Sequence, residues 1–213
     1  MKHTMTRLAL FLFLGLQILL PKLVFAQQHE TYDVVLAEHR AEYKADFVTN
    51  PRSPLTASDT AFLDFFPVNY DWIFPLAKFE RTPNAEPFIM MTYSGQKRDY
   101  VQFGILKFVA NGQPQTLNIY QNIRLIQDST YRDHLFLPFK DLTNGAESYG
   151  GGRYLDFKQS DIVGDQIALD FNLCYNPWCA FSDGFNCPIP PSENHLEIEV
   201  PAGERNFKGA KKH

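Results

Sequence analysis

Between residues 139 and 194 the chain gathers the side chains best suited to chemistry. Glu147, Ser148 and Tyr149 lead into Gly150-Gly151-Gly152 and then Arg153. Glycines permit positive φ and close approach of the backbone. Successive amides in such a run can cradle an anion or carboxylate, and arginine adds a rigid planar fork of donors. One reading is a polar ligand or a transition-state oxyanion held by Gly150, Gly151, Gly152 and Arg153. The other is a tight connection in which Arg153 pairs with Glu147 or Asp156. A second polar cluster is Asp170-Phe171-Asn172, followed by Tyr175-Asn176-Pro177. A carboxylate and an amide two residues apart on a strand share one face. That face either lines a polar pocket or satisfies loop amides.

Glu147, Asp156, Asp170 and Glu193 are the carboxylates available as general acid and base, should two converge in an apolar setting. In a hydrolytic reading Glu147 or Asp170 activates water, and Arg153 stabilises the developing negative charge. In a binding reading Glu147, Arg153, Asp170, Asn172 and Tyr175 build a pocket for a small polar or anionic ligand. Asn176 and Glu193 join its ligand-binding candidates, although Glu193 and Asn194 serve equally well as turn caps. A third class, an envelope interaction module, needs a large exposed apolar patch, for which the aromatic-rich 62–72 region is the source.

The cysteines Cys174, Cys179 and Cys187 are an odd set. Pairing Cys179 with Cys187 closes a small loop containing Gly184 and leaves Cys174 as a small buried side chain. A metal site of three thiolates and a histidine has no CxxC or HxH spacing to support it. A nucleophilic cysteine needs a histidine partner, for which only His134 and His195 are at hand.

The elements that must position these residues are mostly strands. Tyr32, Leu36, His39, Tyr43 and Phe47 recur at helical spacing, which predicts an amphipathic helix with His39 packed on its seam, ended by Asn50 to Pro54. Ser58 or Asp59 caps a second, short helix carrying Phe62 to Phe66. Beyond Pro67 the period changes. Strands are predicted over Asp71–Arg81, with an edge or bulge at Pro75, then Pro87–Tyr93, Tyr100–Val109 and Gln115–Gln121. Asn111-Gly112 marks a hairpin between the last two. The pattern continues through Asn122–Gln127 and Leu135–Phe139. Arg153–Phe157, Gln166–Phe171 and Leu196–Val200 complete the set, the last alternating with Glu197 and Glu199. The architecture expected is mainly β (α+β), a single antiparallel β-sandwich or barrel-like domain with one or two N-terminal helices packed on it. No GxGxxG or Walker sequence is present, so no nucleotide cofactor is indicated.

Residues 1–26 read as an export signal: Lys2 and Arg7, an apolar run over Leu8–Leu20, and a small residue, Ala26, at the cleavage point. The apolar run is too short to span a bilayer. Cleavage near Ala26 leaves a periplasmic or secreted protein with no stable membrane span. It removes three basic residues and no acid, taking the formal charge from −4 to −7. That balance argues against a nucleic-acid partner. The domain then covers 27–204, and the basic residues within 205–213 read as a flexible tail. An exported chain meets an oxidising compartment, which favours the Cys179–Cys187 bridge. Oligomeric state is not set by these features.

Three long blocks, Pro138–Asp156, Leu169–Phe181 and Cys187–Glu204, resemble the signature of the bacterial family called domain of unknown function 1684. Ser53–Leu55, Lys78–Arg81 and the YVQFGILKF strand fit its amino-terminal half. The resemblance runs over roughly Tyr32 to Glu204. It places the family's pattern on Glu147, Tyr149, Arg153, Asp156, Asp170 and Asn172, and on Tyr175, Asn176, Cys179, Cys187, Glu193 and Glu204. Cys174 falls outside that pattern, which again favours bridging Cys179 to Cys187. Leu173 stands where members often carry a basic residue, which weakens anion binding at that segment. The resemblance implies a family without an established reaction, and the question of an enzyme stays open.

Overall fold

The computed structural model describes residues 29–213, so the segment read as an export signal lies outside the described residues. The chain divides into two units, 1–43 and 44–213. In the first, residues 29–43 are helical, and this helix, α1, continues to residue 49. Leu36 and Phe47 are its buried positions, with Tyr32, Arg40 and Tyr43 half-buried. His39, expected on the seam, is exposed, because Arg40 completes the helical spacing in its place. The helix stops at Asn50, whose side chain accepts from the amide of Arg52 at 3.0 Å.

The second unit is built on a seven-stranded antiparallel sheet that curls into a half-barrel. Its strands are β1 (Ile73–Arg81), β2 (Phe88–Met91), β3 (Lys97–Ala110), β4 (Gln113–Asn122), β5 (His134–Phe139), β6 (Arg153–Lys158) and β7 (Gln166–Asp170). The order is β6-β5-β4-β3-β1-β7, with β2 paired to the first part of β3. The β3–β4 hairpin turns at Asn111 and Gly112, both at positive φ (52° and 72°), with Ala110 opposite Gln113. That is the two-residue turn whose twist matches the strands it joins. In β1 the register against β7 shifts between Phe74 and Ala77. The bulge falls at Pro75, which has no amide hydrogen to give to a ladder.

Three expected elements take other forms. The second helix is only a 3-10 turn, Asp59–Phe62. The chain leaves it extended, because Phe65 pairs with Glu204 and the amide of Phe66 donates to Gly203. The strand continuation after Asn122 ends at once. The Asn122 side chain accepts from the amides of Arg124 and Leu125, both at 3.0 Å, and starts a turn. The segment Leu196–Val200 buries Leu196 and Val200 as its alternation predicts, but it joins no strand ladder. Its backbone is claimed instead by the loop after β5: Leu196 N donates to Lys140 O and Leu142 N to Ile198 O.

The main core lies on one face of the sheet, where Leu106, Leu117, Ile119, Leu135, Leu169 and Phe171 lose all solvent contact. A smaller cluster of Met90, Tyr100, Tyr120, Phe136 and Tyr154 is separate from it. Strand β5 feeds both clusters, Leu135 and Leu137 one and Phe136 the other. Residues 205–213, expected as a loose tail, run along the body. Arg205 N donates to Asp64 O, Lys208 N to Phe62 O and Lys212 N to Phe181 O. Lys212 also pairs with Asp59, whose carboxyl this bond pulls down to about 2.

Gly112→Ala puts a Cβ on a left-handed turn residue and is expected to cost about 1 kcal/mol, read as a lower urea midpoint with an unchanged slope.

Candidate functional site

Arg153 opens β6 and is completely buried. One end of its guanidinium donates to Asp141 Oδ2 at 2.7 Å, to Val200 O at 2.8 Å and to Thr143 Oγ1 at 3.3 Å. The other donates to the carbonyls of Ala202 and Glu204. Asp141 is equally buried, and its second oxygen accepts from the amides of Thr143 (2.8 Å) and Val200 (3.2 Å). The rings of Phe139 and Phe66 lie 5.4 and 5.7 Å from the guanidinium carbon. The glycines before it answer to packing as well. Gly152 sits at φ 91°, where a Cβ would come within 2.6 Å of Phe139 O. Gly151 offers its carbonyl to the Tyr93 hydroxyl at 2.7 Å.

The buried amides work in the same way. Asn172 pairs both ends of its side chain with the backbone of Asn69, at 2.9 Å each. Asp170 accepts from the amide of Asn172 at 2.9 Å. The amide of Asn176 donates to Glu204 Oε2 at 2.7 Å, and its side chain to Arg205 O. Asn194 ties Asn118 to Pro138 through three bonds of 2.7–2.9 Å. Each replaces a missing ladder partner, and buried backbone groups require such partners.

An open cleft of about 360 Å³ lies where β5 and β6 meet the 175–188 segment. Tyr100, Phe136, Tyr154, Tyr175, Trp178 and Phe185 form its aromatic walls. Its polar groups are Asn122, His134, Asp156 and Asn186. Antiparallel register explains the placement. His134 faces Lys158 and Phe136 faces Asp156, so His134 and Asp156 are diagonal neighbours on one face. A bridge between Tyr154 and Tyr175 then brings the Tyr175 ring onto that face. Asp156 receives His134 Nε2 on one oxygen at 2.9 Å and the Tyr175 hydroxyl on the other. Desolvation, reinforced by Asp156, holds the Tyr175 hydroxyl well above its ordinary range, and desolvation does the same for Tyr154. Both are therefore neutral hydrogen-bond donors at any physiological pH.

The family model described as Protein of unknown function (DUF1684) matches residues 60–205. The chain belongs to this family. A solved relative, an uncharacterised protein of Haloarcula marismortui determined by solution NMR, is 31% identical with a TM-score of 0.64. The match covers 84% of this chain and 96% of the relative. A comparison with curated proteins gave no match.

Within this DUF1684 domain the residues singled out by sequence do not share one pocket. Arg153 pairs with Asp141, not with Glu147 or Asp156, and is closed off from solvent. Glu147 is half-exposed beside Arg205 at 3.3 Å. Gly151, Gly152, Asn172 and Asn176 belong to the packed backbone just described, and Gly150 is exposed. Asp170 caps the turn that follows β7. Glu193 lies on a separate groove of about 500 Å³, with Phe88, Gln102, Asn118 and Tyr120. Of the set, Tyr175, Asp156 and the bridged Cys187 line the aromatic cleft. Sequence reading missed Asp141 as the partner of Arg153, and it considered His134 only as a partner for a nucleophilic cysteine, not for Asp156. The cross-strand placement of His134 two residues from the partner of Asp156 was the available signal. In the 62–72 region Leu63, Phe66 and Trp72 are buried, and Phe62 is exposed.

Cys179 and Cys187 are disulfide-bonded, with Cα atoms 6.2 Å apart, and the thiol of Cys174 is free and buried. Burial pushes that thiol up to about 11. The native protein at pH 8 should therefore present roughly a hundredfold less Cys174 thiolate than an ordinary cysteine. Thiol labelling should be negligible until denaturant is added, and then yield one equivalent. Arg153→Met leaves Asp141 buried without its counter-ion and should cost about 3–5 kcal/mol in urea unfolding. Glu147→Gln should stay within about 0.5 kcal/mol of the parent, as an exposed pair.

Proposed function

We propose that the protein is an exported domain that binds a small ligand in the aromatic cleft, with the Tyr175–Asp156–His134 chain supplying the polar contacts. The observation that carries this reading is the carboxylate of Asp156. Its side chain keeps 42% of its exposure at the cleft while held from both sides by hydrogen bonds. A partly apolar concavity with a few fixed polar groups is the usual form of a small-molecule site. The pocket first expected around Arg153 is replaced by this one, because that guanidinium is closed off from solvent and both of its Nη groups are taken by acceptors of the protein itself. Export rests on the layout of residues 1–26 and on a disulfide suited to an oxidising compartment.

A second reading is favoured by the same geometry. A carboxylate that fixes an imidazole prepares it as a general base. Hydrolysis would then run from His134, in place of Glu147 or Asp170. The glycosidase form, with two facing carboxylates, draws no support from the cleft, where Asp156 is the one carboxylate among the described lining residues.

Two-dimensional NMR with a set of small-molecule fragments tests the binding reading. Hits should move the signals of Trp178, Asn186 and Tyr175, and Trp178→Ala should weaken them about tenfold, as loss of an aromatic wall does. Hits confined to the groove around Glu193 would contradict it. If a hydrolysable substrate is found, His134→Gln should abolish turnover and leave its binding within about threefold, reported as kcat against KM.

A further inference from the structure

Independently of the cleft, the outer edge of β2 carries backbone groups that the fold does not use. Two bonds fix which of them point outward. Asp99, opposite Ile89, turns its carbonyl away from β2 to accept from Ile123 N at 3.0 Å. Met91 O accepts from Ile189 N at 2.8 Å, on the side away from β3. Backbone direction alternates along an antiparallel strand, so Ile89 and Met91 face outward while Phe88 and Met90 pair with β3. The segment carrying Ile189 starts a ladder on this edge, with Tyr93 N donating to Cys187 O at 3.1 Å and Thr92 opposite Pro188. Pro190 and Pro191 end it, since neither has an amide hydrogen to give. Among the described residues, no hydrogen bond then reaches the amide or carbonyl of Ile89 or the amide of Met91.

From the Met91–Ile189 bond the two segments diverge and enclose the groove of about 500 Å³. Residues 88–91 form one wall and residues 189–193 the other. The carbonyls of the second wall are engaged elsewhere, Pro190 O by the His195 ring at 3.1 Å and Pro191 O by Asn194 N at 2.9 Å. On the floor, Gln102 Nε2 donates to Thr82 Oγ1 and Asn118 Oδ1 at 3.3 and 3.2 Å. Ile89 and Met91 stay exposed at the edge. Glu193 is exposed at the far end, where Ser192 Oγ donates to it at 3.3 Å and no cation pairs with it among the described residues. No lysine, arginine or histidine lines the groove.

We propose that this groove binds an extended peptide, which joins β2 as an antiparallel strand and sets a lysine or arginine against Glu193. The peptide takes the path that the chain leaves when its prolines turn it aside. Its central residue exchanges both backbone bonds with Ile89, and the residues on either side turn their side chains toward Phe88 and Gln102. Backbone bonds give such a strand its affinity, and the alternate side chains give selectivity. Glu193 and the net negative charge of the chain disfavour an acidic peptide. A second copy would have to bring a whole sheet edge into a space already walled by residues 189–193, whereas a single strand needs only the gap between the walls.

The probe is the acetylated, amidated peptide Val-Thr-Val-Lys-Thr, titrated into the protein and followed by two-dimensional NMR. It should shift the amide signals of Ile89 and Met91 and slow hydrogen exchange at Ile89. N-methylation of its first threonine removes the donor to Ile89 O and should weaken binding at least about tenfold, as loss of paired backbone bonds does. Exchanging its lysine for glutamate should weaken binding about twofold to fivefold, the range of an exposed ion pair. Ile89→Pro removes only an outward amide hydrogen, which an edge strand tolerates, and should abolish the shifts while the signals of the sheet persist. Equal binding of the N-methylated probe, or no shift at β2 with any probe, would overturn the proposal. Broadening at Ile89 and Met91 that grows with protein concentration and needs no peptide would also overturn it, by giving the edge to a second copy. Because the N-methyl comparison is made on the parent protein, a poorly folded Ile89→Pro variant does not blunt the test.

Discussion

The buried pair of Arg153 and Asp141 is the interaction on which the rest of this domain leans. An arginine without solvent must find acceptors for its donors, and those it finds here come from two pieces of chain outside its own strand. Asp141 and Thr143 come from the loop after β5, while Val200, Ala202 and Glu204 come from the final crossing segment. A buried ion pair adds little net stability against a well-packed apolar alternative. Its effect here is one of position. Three segments that share no strand ladder are fixed around a single planar group, and any other arrangement would strand a charge.

That placement reaches the cleft through the covalent chain. Arg153 is the first residue of β6, so the clamp fixes the register from which Tyr154 and Asp156 follow on alternate positions of one strand. Tyr154 bridges to Tyr175, and Asn176 beside it is held by Glu204, whose carbonyl the guanidinium also contacts. The Cys179–Cys187 bridge closes the loop carrying Phe185 and Asn186 at the rim. The loop is also tied to the chain end through Asp183, which pairs with Lys211 and His213. The polar residues of the signature blocks thus build a frame, and the aromatic cleft is what the frame presents.

Most of the sheet was legible in the sequence because it rests on local rules. Asn111-Gly112 marks its turn by backbone preference, Pro75 marks a bulge by lacking a hydrogen, and apolar runs or alternation mark β3 to β7. The same alternation misleads at Leu196–Val200, since it reports burial and carries nothing about whether a partner strand exists. The site was less legible for a related reason. Glu147, Arg153, Asp170 and Asn172 have the composition of a polar pocket, and the same composition serves to satisfy buried carbonyls and amides. Only the fold separates the two uses. Asp141 lies twelve residues before Arg153 on the far side of a loop, and no spacing rule joins them. His134 meets Asp156 across two strands, a contact that requires the β5–β6 register.

Amide hydrogen exchange at Thr143, Asn176 and Val200 tests the central claim most directly, because the first and last donate to Asp141 and the second to Glu204. If the clamp is part of the cooperative core, these amides exchange only through global unfolding, with the free energy measured by urea. Exchange at a much lower free energy, independent of denaturant, would show that the loop opens locally. Arg153 would then be available to solvent and ligand, and the structural role assigned to it would fail.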